Sequence, residues 1–332
     1  MDKILITGAS GFIGSNLLKF YINKGFEVIN IDFKKPSDNS LLPYWKNIDI
    51  TNYDKVKAAF IEFNPDFVVH LAARTDLNGK NVGDYSSNIE GTYNIISSCN
   101  LLTNLKRVIF TSSMLVCKVG YTPKNQIDYM PSTVYGKSKV KMEILIRENN
   151  LEYEWTIIRP TSIWGPNFGI PYRNFFDMII KKWYFHIGNR SCVKTYGYVG
   201  NTIYQIDSIL NAPKEDINHN VFYLGDYVPT NIEDWANEIG EEIGICIKKI
   251  PFIIIKLCAI VGDILSMIGI NFPITSFRLK NMTTDNIIDL TQTEKLAPDL
   301  PYSRKEGIRD TLEWLKNQNN LESFPFKKDN LF

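Results

Sequence analysis

Five apolar runs rich in β-branched side chains punctuate the first half of the chain: KILIT (3–7), EVINID (27–32), FVVHLAA (67–73), RVIFTSS (107–113) and WTIIRP (155–160). Runs that are continuous, not alternating, predict strands buried on both faces of a parallel sheet. Between them the pattern changes to helical spacing, over Phe12–Asn23, Asp54–Phe63, Asp84–Leu102 and Val134–Glu148. Strand and helix in strict alternation predict an α/β, doubly wound parallel sheet. After Pro160 the texture changes. The stretch RPTSIWGPNFGIPYRN is dense in Gly, Pro and Asn and reads as loop, and a second, smaller lobe is expected to begin there.

The run IPFIIIKLCAIVGDILSMIGI (250–270) approaches the length of a membrane span, but Lys256 and Asp263 interrupt it. Each charge is costly at a bilayer centre, so no transmembrane segment is expected. A buried or half-buried helix is the expected form, with membrane-surface contact as the alternative.

Composition narrows the class. The 332 residues include 37 Lys+Arg against 36 Asp+Glu, a net charge of +1, with 44% hydrophobic residues. That suits a folded α/β enzyme and excludes disorder as the main state. The balance of charge argues against a nucleic-acid partner. Cys99, Cys117, Cys192, Cys246 and Cys258 are odd in number and scattered, and no His-Cys spacing suits a metal. MDKILITG runs straight into a strand pattern without a signal-peptide pattern. A reduced, cytoplasmic enzyme with no metal is expected.

TGASGFIG (7–14) joins the first strand to the first helix and places Gly8, Gly11 and Gly14 as GxxGxxG. The glycines allow a tight turn and a close backbone approach to a pyrophosphate, and the helix N-terminus offers its amides to the anion. The strand-loop-helix context is the one this dinucleotide-binding motif requires. It predicts a Rossmann-like domain over 1–160, to which the chain returns near 196–212. The substrate lobe is then 161–195 and 213–320, with a tail at 321–332. Asp32 ends the second strand. A carboxylate there can accept hydrogen bonds from the adenosine ribose hydroxyls and repel a 2′-phosphate, which favours NAD over NADP. Lys34 and Lys35 follow and partly offset that repulsion; the plain alternative is a strand-end turn residue.

YGKSK places Tyr135 and Lys139 one helical turn apart on one face. A free phenol has a pKa of about 10, too high for a base at neutral pH, and a nearby ammonium favours its phenolate. YxxxK alone equally describes a solvated helix face. Its weight comes from order, because TSS (111–113) ends a predicted strand about 20 residues earlier and could supply a hydroxyl to the same crevice. The bland reading of TSS is capping of a strand-to-loop turn.

In this order the motifs resemble the extended short-chain dehydrogenase/reductase family, in its NAD-dependent epimerase/dehydratase branch. The resemblance runs through TGASGFIG, Asp32, NIDI (47–50), VVHLAA (68–73), NIEGT (88–92), TSSM, YGKSK and RPTSIWGP to DLTQTEKLAPDL and EGIRDTLEWL near the end. It implies a cofactor site of Gly8, Ser10, Gly11, Phe12, Ile13, Gly14 and Asp32, with Asp49 and Ile50 bracketing adenine. Leu71, Ala72 and Ala73 would pass beneath the ribose and pyrophosphate, Pro160 and Thr161 would border the nicotinamide, and Thr111 would be a further cofactor contact. Tyr135 would be the acid/base, Lys139 its tuner and a ribose ligand, and Ser113 the proton-sharing hydroxyl. Asn88 would support the active-site helix. Thr75, Ser113, Ser162, Arg173 and Lys194 would face the substrate.

Departures from the family pattern are informative. The 4,6-dehydratases carry an Asp-Glu pair after the catalytic hydroxyl residue, and here Met114 and Leu115 stand there, so a dehydratase is not expected. Ser162 replaces a common sugar-contacting Asn, Lys194 stands for a pyrophosphate-binding Arg, and Asn201 for a usual Asp. The leading expectation is a nucleotide-sugar epimerase with retained NAD, working through a transient keto-sugar. The alternatives are a net oxidoreductase of a nucleotide-linked sugar, or the same chemistry on a lipid-linked sugar or sterol-like alcohol. A non-catalytic NAD sensor has no need of Ser113, Tyr135 and Lys139 together. The resemblance also implies a homodimer through helices near 84–104 and 134–148, and a setting in polysaccharide precursor synthesis.

Overall fold

A computed structural model describes residues 1–149, 151–170, 172–267, 269–270 and 275–319. The tail expected at 321–332 and Ile268 of the long apolar run lie outside them. In chain order the elements begin β1 (Lys3–Thr7), α1 (Phe12–Asn23), β2 (Glu27–Asp32), β3 (Trp45–Asn47), α2 (Tyr53–Phe63), β4 (Phe67–His70) and α3 (Ser86–Cys99). They continue β5 (Arg107–Thr111), α4 (Val134–Glu148), β6 (Glu154–Pro160), β7 (Ser162–Trp164), α5 (Tyr172–Ile180), β8 (Phe185–Ile187), β9 (Val193–Lys194), β10 (Tyr196–Tyr198) and α6 (Val199–Asn211). The last are α7 (Lys214–Ile217), β11 (Val221–Leu224), β12 (Thr230–Asn231), α8 (Ile232–Glu242), β13 (Lys248–Ile250), α9 (Phe252–Met267), α10 (Ser276–Met282), α11 (Thr291–Leu296) and α12 (Arg304–Asn319).

The chain divides into two compact units. The first, Met1–Ile163 with Gly197–Asp226 and Asp289–Tyr302, is built on a seven-stranded sheet of order β11-β6-β5-β4-β1-β2-β3. Every pairing in it is parallel. The order reverses between β1 and β4, the switch point at which doubly wound sheets bind ligands. The continuous apolar strands predicted in the sequence are buried on both faces, as two layers of helices require. On one side Leu5, Val68, Val108 and Ile157 of the strands pack with Phe60 of α2, Ile95 and Ile96 of α3, and Met142 and Ile146 of α4.

Two strands stop sooner than their apolar runs. After His70, the Leu71 amide makes the last ladder bond, to the Thr7 carbonyl at 3.1 Å. The next amide, Ala72, donates to the Thr7 hydroxyl, so the chain leaves the sheet there. β5 likewise ends at Thr111. Two strands carried no readable pattern. β3 spans Trp45–Asn47, and β11, at Val221–Leu224, closes the sheet beside β6.

The second unit holds 164–196, 227–288 and 303 onward. Its core is aromatic: Trp235 sits 5.1 Å from Trp164, 4.7 Å from Phe175 and 4.8 Å from Tyr196, centroid to centroid. Within it β8 pairs in parallel with β13, and β9 antiparallel with β12. α9 is half-buried, the form expected of the long apolar run. Among the described residues no helix is long and apolar enough to cross a membrane, and no His/Cys/Asp/Glu group could hold a metal ion.

Candidate active site

The glycine loop lies between β1 and α1. Gly8 has φ +74°, and a Cβ there would sit 2.6 Å from the Ala72 amide nitrogen. Only glycine permits both the backbone angle and the contact. The N-cap of α1 is Gly11, which brings no capping side chain of its own. A helix N-terminus behind a glycine loop is where an anion binds.

The loop is braced from β2. Asn30, fully buried, accepts from the Ala9 amide at 3.0 Å and donates to the Ser10 hydroxyl at 3.0 Å. Asp32 accepts from the Ser10 amide at 3.1 Å and from the Lys34 amide at 2.8 Å. Burial pushes its carboxyl above the usual range, while the amides of Lys34 and Ser10 pull the other way. Asn30 escaped the sequence reading. Its signal was available, as a polar residue two positions before Asp32 within an apolar strand.

Lys139 is the best-defined of the three candidate catalytic side chains. It is 2% exposed, and its ammonium donates to the Thr111 carbonyl at 2.8 Å. Desolvation pulls its pKa down to about 7, against the opposing pull of Glu143 one turn further along α4. Tyr135, one turn earlier, is buried and its ring centroid lies 6.0 Å from that of Tyr85. Ser113 caps the tight turn over 114–116, its hydroxyl accepting from the Leu115 amide at 3.1 Å. α4 presses directly onto that turn, and a Cβ on Gly136 would strike the Leu115 carbonyl. This close approach brings the segments carrying Ser113 and Tyr135 together. Beside them, Thr111 Oγ1 and Ser112 Oγ are buried with no hydrogen-bond partner among the described residues.

A line of hydrogen bonds ties the sheet to the start of α4. The Thr7 hydroxyl lies 2.7 Å from His70 Nδ1, and His70 Nε2 lies 2.9 Å from Thr92 Oγ1. Thr92 donates to the Asn88 carbonyl at 2.9 Å. Since Thr92 has given its proton to the Asn88 carbonyl, its oxygen can only accept from His70, so the imidazole carries its proton on Nε2 and Nδ1 accepts from the Thr7 hydroxyl. Burial, and secondarily Lys139, pull the His70 pKa down to about 3 and keep the ring neutral. Asn88 donates to Ser138 Oγ at 3.0 Å, and Ser138 donates to the Tyr135 carbonyl at 2.7 Å.

A second brace is ionic. Arg159 grips Glu143 through both carboxylate oxygens, at 2.8 and 2.7 Å, with both side chains almost wholly buried. Tyr129 donates to the same carboxylate at 3.0 Å. This group was not anticipated, because its members are scattered over 30 positions of the chain.

The remaining positions singled out in the sequence are distributed as follows. Ile50 is buried and its carbonyl accepts from Asn94 at 2.9 Å, whereas Asp49 is exposed and accepts from Thr51. Leu71, Ala72 and Ala73 are half-buried and Thr75 is exposed. Pro160, Thr161 and Ser162 are buried at the end of β6, with the Thr161 hydroxyl donating to the Leu224 carbonyl at 2.8 Å. Asn201 is a structural bridge, donating to Asp226 and to the Tyr302 carbonyl, both at 2.9 Å. Arg173 and Lys194 belong to the second unit. Arg173 lies 3.5 Å from Asp177, and Lys194 is paired with Thr230. A shallow groove of about 550 Å³ lies away from the glycine loop, on α3 and α4, between Ile89, Tyr93, Lys141 and Leu145.

A switch-point glycine loop, a strand-end aspartate and a Ser-Tyr-Lys group on the turn after β5 and on α4 define an extended short-chain dehydrogenase/reductase. The NAD dependent epimerase/dehydratase family model matches residues 4–225, and the chain belongs to that family. It is 29% identical to N-acetyl-alpha-D-glucosaminyl-diphospho-ditrans,octacis-undecaprenol 4-epimerase of Escherichia coli O157:H7, over 94% of this chain and 95% of that one. It is 27% identical to 3-beta-hydroxysteroid dehydrogenase of Mycolicibacterium neoaurum, over 76% of this chain and 72% of that one. The fold is that of UDP-glucose 4-epimerase from Thermotoga maritima crystallised with UDP-glucose, with TM-score 0.73, 20% identity, and coverage of 96% and 99%. UDP-glucuronic acid 4-epimerase from Bacillus cereus, in complex with UDP-glucuronic acid and NAD, superposes with TM-score 0.72 at 20% identity, covering 95% and 99%.

Proposed function

We propose that the protein is an NAD-dependent epimerase that inverts a carbinol carbon of a diphosphate-linked sugar. The observation that carries this reading is Lys139, anchored on the Thr111 carbonyl one turn from Tyr135, beside two buried hydroxyls that have no partner among the described residues. Those hydroxyls, with the glycine N-cap of α1 at the end of the loop, suit a bound dinucleotide. Gly8, Ser10, Gly11, Phe12, Ile13 and Gly14 would hold its pyrophosphate and Asp32 its adenosine ribose. Asp49 and Ile50 would flank the adenine, and Leu71–Ala73, Thr111, Pro160 and Thr161 the remainder. When bound, NAD supplies reversible hydride acceptance at the sugar carbon.

The protein's own residues handle the proton. Tyr135, as phenolate, takes it from the sugar hydroxyl and returns it when the transient keto-sugar is reduced on its other face. Lys139 favours the phenolate by its positive charge, and the phenolate in turn raises the affinity of Lys139 for its proton. Ser113 shares the proton with the sugar oxygen. Thr75 and Ser162 would face the sugar, and Arg173 and Lys194 the diphosphate. Met114 and Leu115 offer neither acid nor base, so elimination of water is not part of the proposal. A cytoplasmic setting and a homodimer through α3 and α4, whose shared face carries exposed Tyr93 and Ile144, belong to it.

The sugar carrier is proposed as a nucleoside diphosphate. A polyprenyl diphosphate is the second reading, favoured by the 29% relative of that specificity and by the exposed apolar side of α9. The test is conversion of UDP-, GDP-, CDP- and dTDP-sugars, and of a short-chain prenyl-diphosphate sugar, with no cofactor added. Denaturation should release close to one NAD per chain, and deuterium at the inverted carbon should be retained in the product. Tyr135→Phe is expected to lower the rate by about 10²–10⁴. An unaltered rate in that variant sinks the assignment, and net accumulation of NADH with a keto-sugar would make the enzyme an oxidoreductase.

A further inference from the structure

The side of α9 that faces away from its own unit is apolar. At about 100° per residue, Ile255, Ala259 and Gly262 share one side and are buried. Ile255 and Ala259 pack there with Ile187 of β8 and Leu279 of α10. The opposite side presents Ile253, Ile254, Leu257, Ile260, Val261 and Ile264, each 46–61% exposed, and Met267 continues the stripe at 85%. A surface helix ordinarily turns polar residues outward. Single exposed apolar residues are common, but a contiguous stripe over four turns marks a contact surface.

The charge around the stripe selects the partner. Residues 245–282 contain five basic residues, Lys248, Lys249, Lys256, Arg278 and Lys280, and one acid, Asp263. The whole chain is only +1, so the remainder is net negative and the cations are concentrated here. Lys249 is 2.8 Å from Glu233. Asp263 is turned inward to accept from the Ser276 amide at 3.0 Å. Lys256 is exposed at the edge of the stripe, where its stem can follow apolar surface while the ammonium reaches out. A second copy of the helix would bring one cationic fringe against another, whereas anionic headgroups neutralise it.

We propose that α9 docks on the surface of an anionic lipid bilayer, lying in the interface with Ile254, Leu257, Val261 and Ile264 sunk among the acyl chains and lysines at the headgroups. Its 16 residues extend about 24 Å, short of the ~30 Å hydrocarbon core, so it lies along the membrane and does not cross it. The inference stands apart from the sugar chemistry and is tested without it.

The full-length protein is sedimented with vesicles of phosphatidylcholine alone and of phosphatidylcholine with 30% phosphatidylglycerol, a fraction on the order of that in anionic membranes. Binding is expected with the anionic vesicles, weakening as salt rises. Leu257→Asp with Ile264→Asp should lower the bound fraction at least tenfold while the melting temperature and the oligomeric state stay unchanged. Lys248→Glu with Lys256→Glu, which leaves the apolar stripe intact, should remove the preference for anionic lipid. Absence of wild-type binding to either vesicle overturns the proposal, as does binding that survives the double Asp change. Loss of a dimer in the Asp variant without wild-type vesicle binding assigns the stripe to a second copy.

Discussion

Asn88 Nδ2 donates to Ser138 Oγ at 3.0 Å across 50 positions of sequence. The same amide donates to the Arg74 carbonyl at 3.1 Å and accepts from the Arg74 amide at 2.8 Å. One buried side chain therefore clips the loop after β4 to the turn of α4 that carries Tyr135.

Asn88→Ala leaves Ser138 and the Arg74 backbone without their partner in a site that water does not readily reach. Each net hydrogen bond contributes about 1 kcal/mol, and each orphaned buried group adds about 1–3. The expected destabilisation is about 2–4 kcal/mol by urea unfolding, with a fall in kcat larger than any change in NAD affinity.

Lys139 carries a pH signature. Its pKa in the folded, cofactor-free protein is lowered to about 7 by burial, against about 10.4 unfolded. Between those values the unfolded chain binds the extra proton, so stability rises with pH from about 7 to about 10.4 and the gain is lost as pH falls back through 7. The slope is about 1.4 kcal/mol per pH unit for this proton. Chemical denaturation of cofactor-stripped wild type and Lys139→Met across that window should show the difference. Parallel curves would remove the burial argument.

His70 acts at the other end of the scale. Burial lowers its pKa to about 3, so it contributes stability that is fully present above the unfolded value of about 6.5 and is lost as pH falls from there toward 3. Denaturation curves of wild type and His70→Gln between pH 7 and 4 should converge on acidification, because only the unfolded wild-type chain has an imidazole at this position to take up a proton in that range.

Asp32→Ala removes the acceptor for the Ser10 and Lys34 amides and the proposed ribose ligand. Calorimetric titration should show NAD affinity lower by about tenfold to a hundredfold, from the loss of charged hydrogen bonds. NADP should gain relative to NAD, since the repelling carboxylate is gone. Unchanged selectivity would separate Asp32 from cofactor choice.

Gly136→Ala forces a methyl group onto the Leu115 carbonyl. Overpacking of this kind costs about 1–3 kcal/mol, measured as a lower melting temperature. Activity should fall further than stability accounts for, because the displaced segments carry Ser113 and Tyr135.

Much of this site was legible in the chain because its signals are local. A glycine loop announces itself between a strand and a helix, and α1 and α4 occupy Phe12–Asn23 and Val134–Glu148, the ranges their spacing predicts. The Thr133 side chain accepts from the Gly136 amide at 2.9 Å, which begins α4 where the pattern starts. Strand ends were less legible. FVVHLAA reads as one apolar run, yet β4 stops at His70 because a hydroxyl from β1 captures the amide of Ala72. β3 is three residues long, too short to carry a period.

By itself the sequence determined the alternation of strands and helices, the parallel doubly wound class, and the order of the glycine loop, Asp32, Ser113, Tyr135 and Lys139 from which the site is proposed. These depend on neighbours a few positions apart. Only the tertiary structure decided that Asn30 braces the glycine loop, that Arg159 neutralises Glu143 behind Lys139, and that Asn88 reaches Ser138. It also decided which side of α9 is buried. Those pairings join residues distant along the chain, and burial, with the cost of leaving a polar group unmatched, selects them only once the sheet has brought them together.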